Sequence, residues 1–238
     1  MQVLCLRNSM NVLITGGNRG LGFELIKVFL FNGNDVLSIV RSEQARYVIE
    51  NDFPQCSVVV TDITNYSKLK ELDYLKKNKI DILINNAGGG GHGTSVTNTE
   101  SDEIEKQFTV HCLAAFNVIK AAYPSLVKSD NPIIVNISSR VGSISKNALG
   151  EFAKKGFSYS YRIAKGAQNM LTQCLSQELG PKGFKVCALH PGRLLTSSGA
   201  PDAHMDPYES AQIIYKMLVE NEIQNGVYYC VETGTIPW

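Results

Sequence analysis

The sequence is poor in the features that mark membrane-spanning and nucleic-acid-binding proteins. Its 238 residues contain no apolar run near the roughly 18 residues that a membrane span requires. The 23 basic and 22 acidic residues nearly cancel, and no basic run exceeds the pairs Lys76-Lys77 and Lys154-Lys155. We therefore expect neither membrane insertion nor a nucleic-acid partner.

Cysteines are also few, and none are clustered, which argues against a disulfide framework or a zinc site. There is no C-x-x-C pair or Cys/His cluster, so we expect mostly buried free thiols at Cys5, Cys56, Cys112, Cys174, Cys187 and Cys230. Residues 1–9 lack the apolar core and cleavage site of a signal peptide. The sequence predicts a cytoplasmic protein without a metal, a single domain over residues 1–238 in which 1–9 are candidates for a flexible extension.

One stretch near the amino end organises the rest of the chain. An apolar run ends at Thr15 and an apolar-periodic segment starts at Leu21, accompanied by glycines at Gly16, Gly20 and Gly22. This order predicts a strand, a tight turn and a helix. Backbone N–H groups and the positive end of a helix meet at such a turn, which suits a phosphate group. Taken alone, the turn has a second interpretation, a bend that binds nothing.

Apolar runs and helical patterns alternate along the chain. Six further strands are predicted, most of them without the alternation of a half-exposed sheet, at 36–40, 57–61, 80–84, 132–137, 184–189 and 227–231. Helices are predicted after the glycine turn, at 43–51, 65–77, 99–126 and 159–179, and after the capping box at 206–209. Right-handed crossovers then predict an α/β fold, a Rossmann-like, doubly wound parallel sheet of about seven strands with helices on both faces.

Ligands of open parallel sheets lie beyond the carboxyl ends of the strands, where Ser139 follows the fifth strand. Tyr161 and Lys165 are four residues apart, on one face of the next long helix. A lysine ammonium beside a phenol lowers its pKa, and a differential interaction of roughly 4 kcal/mol would move it from about 10 to near 7. Tyr161 could then exchange a proton near neutral pH. The alternative is an ordinary surface pair.

Together these motifs resemble the short-chain dehydrogenase/reductase family. They follow the family's order: Thr15-Gly16-x-x-x-Gly20-x-Gly22, Asn85-Asn86-Ala87-Gly88, Ser139, Tyr161-x-x-x-Lys165 and Pro191-Gly192. Segments 138–143 and 234–238 further resemble its C-factor and sniffer-like carbonyl reductase branch.

The resemblance implies an NADP(H)-dependent oxidoreductase that reduces a carbonyl of a small molecule to an alcohol by hydride transfer. Tyr161 would be the general acid, Lys165 would bind the nicotinamide ribose, and Ser139 would polarise the carbonyl. The implied cofactor-binding residues are Thr15, Gly16, Asn18, Arg19, Gly20, Leu21, Gly22, Arg41, Asp62, Ile63, Asn85, Ala87, Gly88, Tyr161, Lys165, Pro191, Gly192 and Thr196. The alternative is a cofactor-binding sensor or signalling protein of the same fold with little catalysis.

Two basic residues favour NADP(H) over NAD(H). An acidic residue at the end of the second strand would bind the ribose hydroxyls of NAD, whereas this chain has Val40 followed by Arg41. Arg19, within the glycine turn, is expected near the same ribose. Each charge-assisted contact with a 2′-phosphate contributes about 1.5–3 kcal/mol, so a preference for NADP(H) of at least roughly tenfold is expected. The alternative is two solvated surface charges.

Two features depart from the family pattern. His111 stands where the family usually has an asparagine, and it either holds a relay water, weakens proton supply or packs as an ordinary helix residue. The segment between Ser139 and Tyr161 is longer than usual and is predicted as loop to about Phe157. It forms a lid, a subunit contact or an inert insertion, and it includes Lys146, Phe152, Lys154, Lys155 and Phe157. A homodimer through the helices at 99–126 and 159–179, where the family commonly dimerises, stays open.

Overall fold

The computed structural model describes residues 9–153, 156–197, 199, 202–220 and 222–238. Cys5, most of the predicted amino-terminal extension, Lys154 and Lys155 lie outside the described residues. The other five cysteines are free thiols, as predicted, and three of them are buried.

The described chain folds around one sheet of eight strands in the order β3-β2-β1-β4-β5-β6-β7-β8. Strands β1 to β7 run parallel and β8 is antiparallel to β7. They are β1 Asn11–Thr15, β2 Asp35–Val40, β3 Ser57–Val60, β4 Ile82–Asn85, β5 Ile133–Ile137, β6 Lys185–His190, β7 Tyr228–Cys230 and β8 Gly234–Thr235. The seven predicted strands are confirmed; the two-residue β8 was missed because it is too short to carry an apolar pattern.

Within the described residues, nine α-helices flank the sheet. They are α1 Gly20–Phe31, α2 Glu43–Asp52, α3 Tyr66–Leu69, α4 Tyr74–Lys77, α5 Ser101–Phe108, α6 Ala114–Leu126, α7 Ile144–Ala148, α8 Tyr159–Leu179 and α9 Pro207–Val219. No helix of this part of the chain combines the length and hydropathy of a membrane span.

Helices bury both faces of the sheet, which explains the continuous apolar runs of the strands. On one face, Leu25 of α1 and Ile214 of α9 belong to the same buried cluster as Ile14 of β1. On the other face, Leu13, which precedes Ile14 in β1, belongs to a cluster with Val118 of α6. The predicted doubly wound architecture is therefore confirmed.

Three predicted helical or loop segments were wrong in detail. The helix predicted at 65–77 is broken into α3 and α4, because Leu69 and Leu75 are both fully buried and six residues of a continuous helix would turn them about 120° apart. The helix predicted at 99–126 begins at Ser101 and contains a π-helical turn, Thr109–Leu113, between α5 and α6. The segment expected as loop includes α7, whose first turn is capped by Ser143.

The strand order reverses between β1 and β4. From β1 the chain adds β2 and β3 on one side of the sheet, and from β4 it adds β5, β6 and β7 on the other. Such a reversal opens a crevice at the carboxyl ends of the strands. The glycine turn follows β1 at this edge, Asn85 ends β4, and Ser139 lies two residues beyond β5. The topology thus brings the separate sequence motifs to one place.

Candidate active site

The glycine turn is shaped for close approach to its backbone. Gly16 and Gly20 have φ values of 74° and 55°, a left-handed conformation that favours glycine. A Cβ on Gly22 would lie 2.2 Å from the carbonyl oxygen of Gly16, so a larger residue does not fit. Helix α1 begins at Gly20, and no described side chain caps its first N–H groups. Unpaired N–H groups and the helix dipole therefore face the crevice.

Thr15, one of the expected cofactor-binding residues, positions the residues that follow β4. Its side chain is 1% exposed, and its hydroxyl accepts hydrogen bonds from the backbone N–H groups of Asn86 and Ala87, at 3.0 Å each. The Asn86 amide in turn donates to the carbonyl oxygens of Thr15 and Gly16. Asn86 thus joins the end of β4 to the glycine turn. The motif Asn85-Asn86-Ala87-Gly88 did not indicate this role, because it depends on contacts with a distant strand end.

The side chain of Asn85, another expected cofactor-binding residue, is bonded within the sheet. Its side chain is 4% exposed and donates to Asn136 Oδ1 at 2.9 Å, across the sheet. Asn136 continues the line of hydrogen bonds to the Thr172 hydroxyl, at 2.9 Å. Because the Asn85 amide points into the sheet, only the backbone of this residue faces the crevice. The Ala87 and Gly88 that follow lie against Gly16 and the His111 ring respectively.

Three of the residues expected to bind the cofactor are exposed: Arg19, Arg41 and Asp62. Arg19 and Arg41 are solvent-exposed and form no ion pair with any described residue. Asp62 accepts hydrogen bonds from the Thr64 N–H and hydroxyl on one carboxylate oxygen, Oδ1, which fixes the loop after β3. Two further expected residues, Asn18 and Ile63, are half-buried. Leu21 belongs to the core, so it offers only its backbone.

The loop after β6 reaches the glycine turn. A Cβ built on Gly20 would lie 3.5 Å from Thr196 Cγ2, so Thr196, one of the expected cofactor-binding residues, borders the turn. Gly192 has a φ of 90°, and the Pro191 carbonyl accepts a 2.6 Å hydrogen bond from Ser210 of α9. These contacts hold the start of the loop at the carboxyl end of β6.

Ser139 and Tyr161 meet at the centre of the crevice. The Ser139 hydroxyl lies near enough to the Tyr161 phenol to lower its pKa. Tyr228 of β7 donates to the Ser139 carbonyl oxygen and so fixes the serine from behind. This contact spans 89 residues of sequence, and no local pattern could have indicated it.

The pKa of Tyr161 shifts in the opposite direction from the one expected. Burial raises it to about 12, and the nearby Ser139 hydroxyl only partly offsets this effect. Lys165 does not contribute the expected lowering; its Nζ donates to the Ile137 carbonyl oxygen at 2.6 Å and to Gln168 Oε1 at 3.0 Å. Gln168 is a partner that sequence reasoning missed.

Lys165 is itself strongly perturbed. It is 4% exposed, and burial lowers the pKa of its ammonium group from 10.5 to about 7. Its Nζ lies 5.7 Å from the centroid of the Tyr161 ring. The two side chains therefore share one buried helix face, and the surface-pair interpretation is wrong.

His111 lies in the π-helical turn and packs edge-on against Tyr161, with ring centroids 5.2 Å apart. Its Nε2 lies 2.9 Å from the Gly89 carbonyl oxygen, which accepts, so Nε2 carries the proton. Burial, with the nearby Lys165 charge, lowers the pKa of His111 to about 3. Its Nδ1 has no hydrogen-bond partner among the described residues. The ring is therefore neutral, and its N–H holds the backbone at Gly89.

The long segment between Ser139 and Tyr161 is anchored by a few buried side chains, while Ile144 and Leu149 are exposed. Phe152 is 1% exposed and contacts Phe157 edge-on, at 5.7 Å between centroids. Arg140, which follows Ser139, lies over both rings and forms a two-pronged ion pair with Asp202 at 2.7 and 2.8 Å. The segment thus ties the serine loop to the loop after β6.

Comparison with known proteins identifies the family. The family model described as short chain dehydrogenase matches residues 10–206. The chain belongs to the short-chain dehydrogenase family, an oxidoreductase family.

Among its relatives is the C-signal protein of Myxococcus xanthus, 29% identical over 160 residues, which are 67% of this chain and 93% of that protein. Two solved structures are each 26% identical and match 97% of this chain: Carbonyl reductase Sniffer of D. melanogaster, with 100% of its chain covered and a TM-score of 0.84, and the NADPH-bound carbonyl reductase from chicken fatty liver, with 99% covered and a TM-score of 0.83. These matches confirm the resemblance to the C-factor and sniffer-like branch.

Proposed function

We propose that the protein is an NADP(H)-dependent reductase that converts a carbonyl of a small molecule to an alcohol. The observation that carries this proposal is the placement of the Ser139 hydroxyl near Tyr161 and the buried Lys165, at the same sheet edge as the glycine turn. Such a pair can orient a carbonyl oxygen and supply its proton.

The glycine turn fits the cofactor. The backbone at Gly22 leaves a space that a Cβ would fill, and helix α1 begins at Gly20 without a side-chain cap. Both features suit the pyrophosphate. Arg19 and Arg41, both exposed and without an ion-pair partner among the described residues, suit the 2′-phosphate of NADP. When bound, NADPH supplies the hydride. The NADPH-bound relative from chicken supports this assignment.

Protonation of the product falls to Tyr161. Because its pKa is raised, the phenol carries its proton at neutral pH and can donate it as the oxygen gains charge. Ser139 donates to the same oxygen and holds it at the phenol. Lys165 uses two of its three N–H donors on Ile137 and Gln168, which leaves the third for a ribose hydroxyl.

A second candidate function is a cofactor-binding sensor with little catalysis. His111 favours it, because the neutral ring already uses its Nε2–H on Gly89 and stands where the family usually has an asparagine. The two candidates differ in turnover but share cofactor binding.

The test combines NADPH titration with carbonyl-dependent NADPH oxidation over a panel of aldehydes and ketones. Tyr161→Phe should lower turnover by about 10²- to 10⁴-fold and leave NADPH binding intact. Tyr159→Phe is the matched control, since it removes a phenol oxygen from the same helix at a residue that is 39% exposed. Equal turnover of Tyr161→Phe and wild type would refute the mechanism, and NADPH binding without turnover on any compound would favour the sensor.

We also propose that the protein forms a homodimer with a small-molecule substrate site in each subunit. Large apolar side chains are exposed along α5 to α6 and on α8: Phe108, Leu113, Phe116, Ile163 and Met170. Exposed apolar residues that line two neighbouring helices are typical of an interface. Light scattering after size-exclusion chromatography would give twice the 26.1 kDa chain mass, and Ile163→Glu with Met170→Glu would give the monomer.

A further inference from the structure

A second cavity of about 650 Å³ lies beside the loop after β6, outside the Ser139 and Tyr161 site. Its wall includes the end of β6, the turn after β7 and the charged side chains that hold the loop. Three potential metal ligands meet there: His190, Cys230 and Glu232. They come from two strand ends that are adjacent in the sheet, His190 pairing with Cys230.

His190 is the unexplained group of this cavity. It is 5% exposed, and neither ring nitrogen has a hydrogen-bond partner among the described residues. A buried imidazole without a partner is uncommon, because its desolvation is then uncompensated. Its Nε2 lies 3.8 Å from Glu232 Oε2, too far for a hydrogen bond but suited to two ligands of one ion.

The donor set and its spacing favour one class of ion. The imidazole nitrogen, the Cys230 sulfur and a Glu232 oxygen all lie within 4.8 Å of one another. Ligand atoms around a tetrahedral Zn²⁺ are about 3.3–3.6 Å apart, given zinc–ligand bonds of about 2.0–2.3 Å. Small side-chain movements would therefore close the site. Sulfur and imidazole ligands select Zn²⁺ over the hard ions Mg²⁺ and Ca²⁺.

Neighbouring side chains already hold Glu232 in place. Its Oε1 accepts from Arg193 Nε and Nη2, at 3.1 and 3.0 Å, and lies 3.1 Å from His204 Nε2. This arrangement turns Oε2 toward His190. Outer partners that orient a ligand carboxylate in this way are common at metal sites.

The local charge does not oppose a cation. Three basic side chains line the cavity, and each has a carboxylate partner: Arg140 with Asp202, Lys146 with Glu151, and Arg193 with Glu232. The three pairs carry no net charge.

We propose that His190, Cys230 and Glu232 bind a zinc-class divalent cation. As the metal–sulfur bond forms, the Cys230 thiol releases its proton to solvent, while His190 binds as the neutral imidazole and Glu232 as the carboxylate. A fourth position faces the cavity and takes water or His204. The sequence predicted no metal because 39 residues or more separate His190 from the other two ligands, so that no short motif forms. The ion would join the ends of β6 and β7 beside Pro191.

The test titrates the full chain, without a polyhistidine tag and after chelator treatment, with Co²⁺ and then Zn²⁺. One Co²⁺ per chain should bind with thiolate-to-metal absorption in the near ultraviolet, and Zn²⁺ should abolish this absorption. Cys230→Ser should lose the absorption. Cys174→Ser, which removes an exposed thiol on α8, is the control and should keep it.

Glu232→Gln is the second variant, in case Cys230→Ser does not fold. It should weaken Zn²⁺ binding at least about tenfold, since even an outer partner of a metal ligand contributes that much. Glu151→Gln also breaks an ion pair of the cavity but leaves the ligands intact, so it should bind Zn²⁺ as wild type does. Absence of saturable binding, thiolate absorption retained in Cys230→Ser, or equal weakening in Glu151→Gln would overturn the proposal.

Discussion

Lys165→Met removes a buried charge whose influence on stability can be worked out from the structure. The pKa of Lys165 is 10.5 in an unfolded chain and about 7 in the folded protein. Between these values the unfolded chain binds a proton that the folded chain lacks, so this group lowers stability progressively as the pH falls from 10.5 to about 7, and by a constant amount below. The slope is about 1.4 kcal/mol per pH unit, and the full effect is about 5 kcal/mol.

Methionine has a similar length and no charge, so the variant lacks this slope. It also leaves the Ile137 carbonyl and Gln168 Oε1 without the ammonium donor, at a cost of about 1–3 kcal/mol each. That cost does not depend on pH. The difference in unfolding free energy, wild type minus variant, should therefore increase with pH whatever its value at neutrality.

Urea unfolding at pH 7.5, 8.5 and 9.5 measures the difference. It should grow by about 2–3 kcal/mol over the two pH units. Groups that titrate equally in both proteins, including the buried thiols, cancel in the subtraction. Lys216→Met controls for loss of a positive side chain at the surface of α9. Parallel stability curves for wild type and Lys165→Met would refute the reasoning.

Three further predictions concern the crevice. Gly22→Ala should abolish NADPH binding and destabilise the fold, because its Cβ would lie 2.2 Å from the Gly16 carbonyl oxygen. Calorimetry measures the binding and thermal melting the stability. Unchanged binding would contradict the assignment of the glycine turn to the pyrophosphate. Arg41→Ala and Arg19→Ala should each lower the ratio of NADPH to NADH affinity at least roughly tenfold, with NADH affinity unchanged. His111→Asn should leave the shape of the pH profile of kcat/KM between pH 5 and 8 unchanged, because the pKa of His111 is about 3; a lost inflection near pH 6 would show that the ring titrates.

Much of the fold could be predicted because its signals are local. Helix α8 has the predicted bounds, Tyr159–Leu179, since Ser158 caps its first turn and the Gly180-Pro181 pair follows its end. The strands are apolar on both faces, and the order of their polar ends was enough to place the candidate site. Ser143 was a further local signal: its capping of α7 could have been predicted.

The direction of the side chains in the site could not be predicted. Spacing placed Tyr161 and Lys165 on one helix face, but the ammonium group turns to the Ile137 carbonyl, which only the folded β5 supplies. The result is a raised pKa at Tyr161 where a lowered one was expected. Thr15 and Tyr228 likewise act through partners far away in sequence, which no pattern of neighbouring residues records.

A line of buried hydrogen bonds runs from Lys165 through Gln168 and Thr172 to Asn136 and Asn85, across the middle of the sheet. Thr172, Asn136 and Asn85 are joined through their side chains, and so are Lys165 and Gln168, so a substitution in either group leaves the next side chain unpaired. Thr172 reaches Gln168 through the backbone carbonyl oxygen, which a substitution at Gln168 leaves in place. Changes along this line will be strongly epistatic: pairs that are harmful singly can be tolerated together. A library that varies these positions should therefore exchange them as a block, while α9 can be varied one residue at a time.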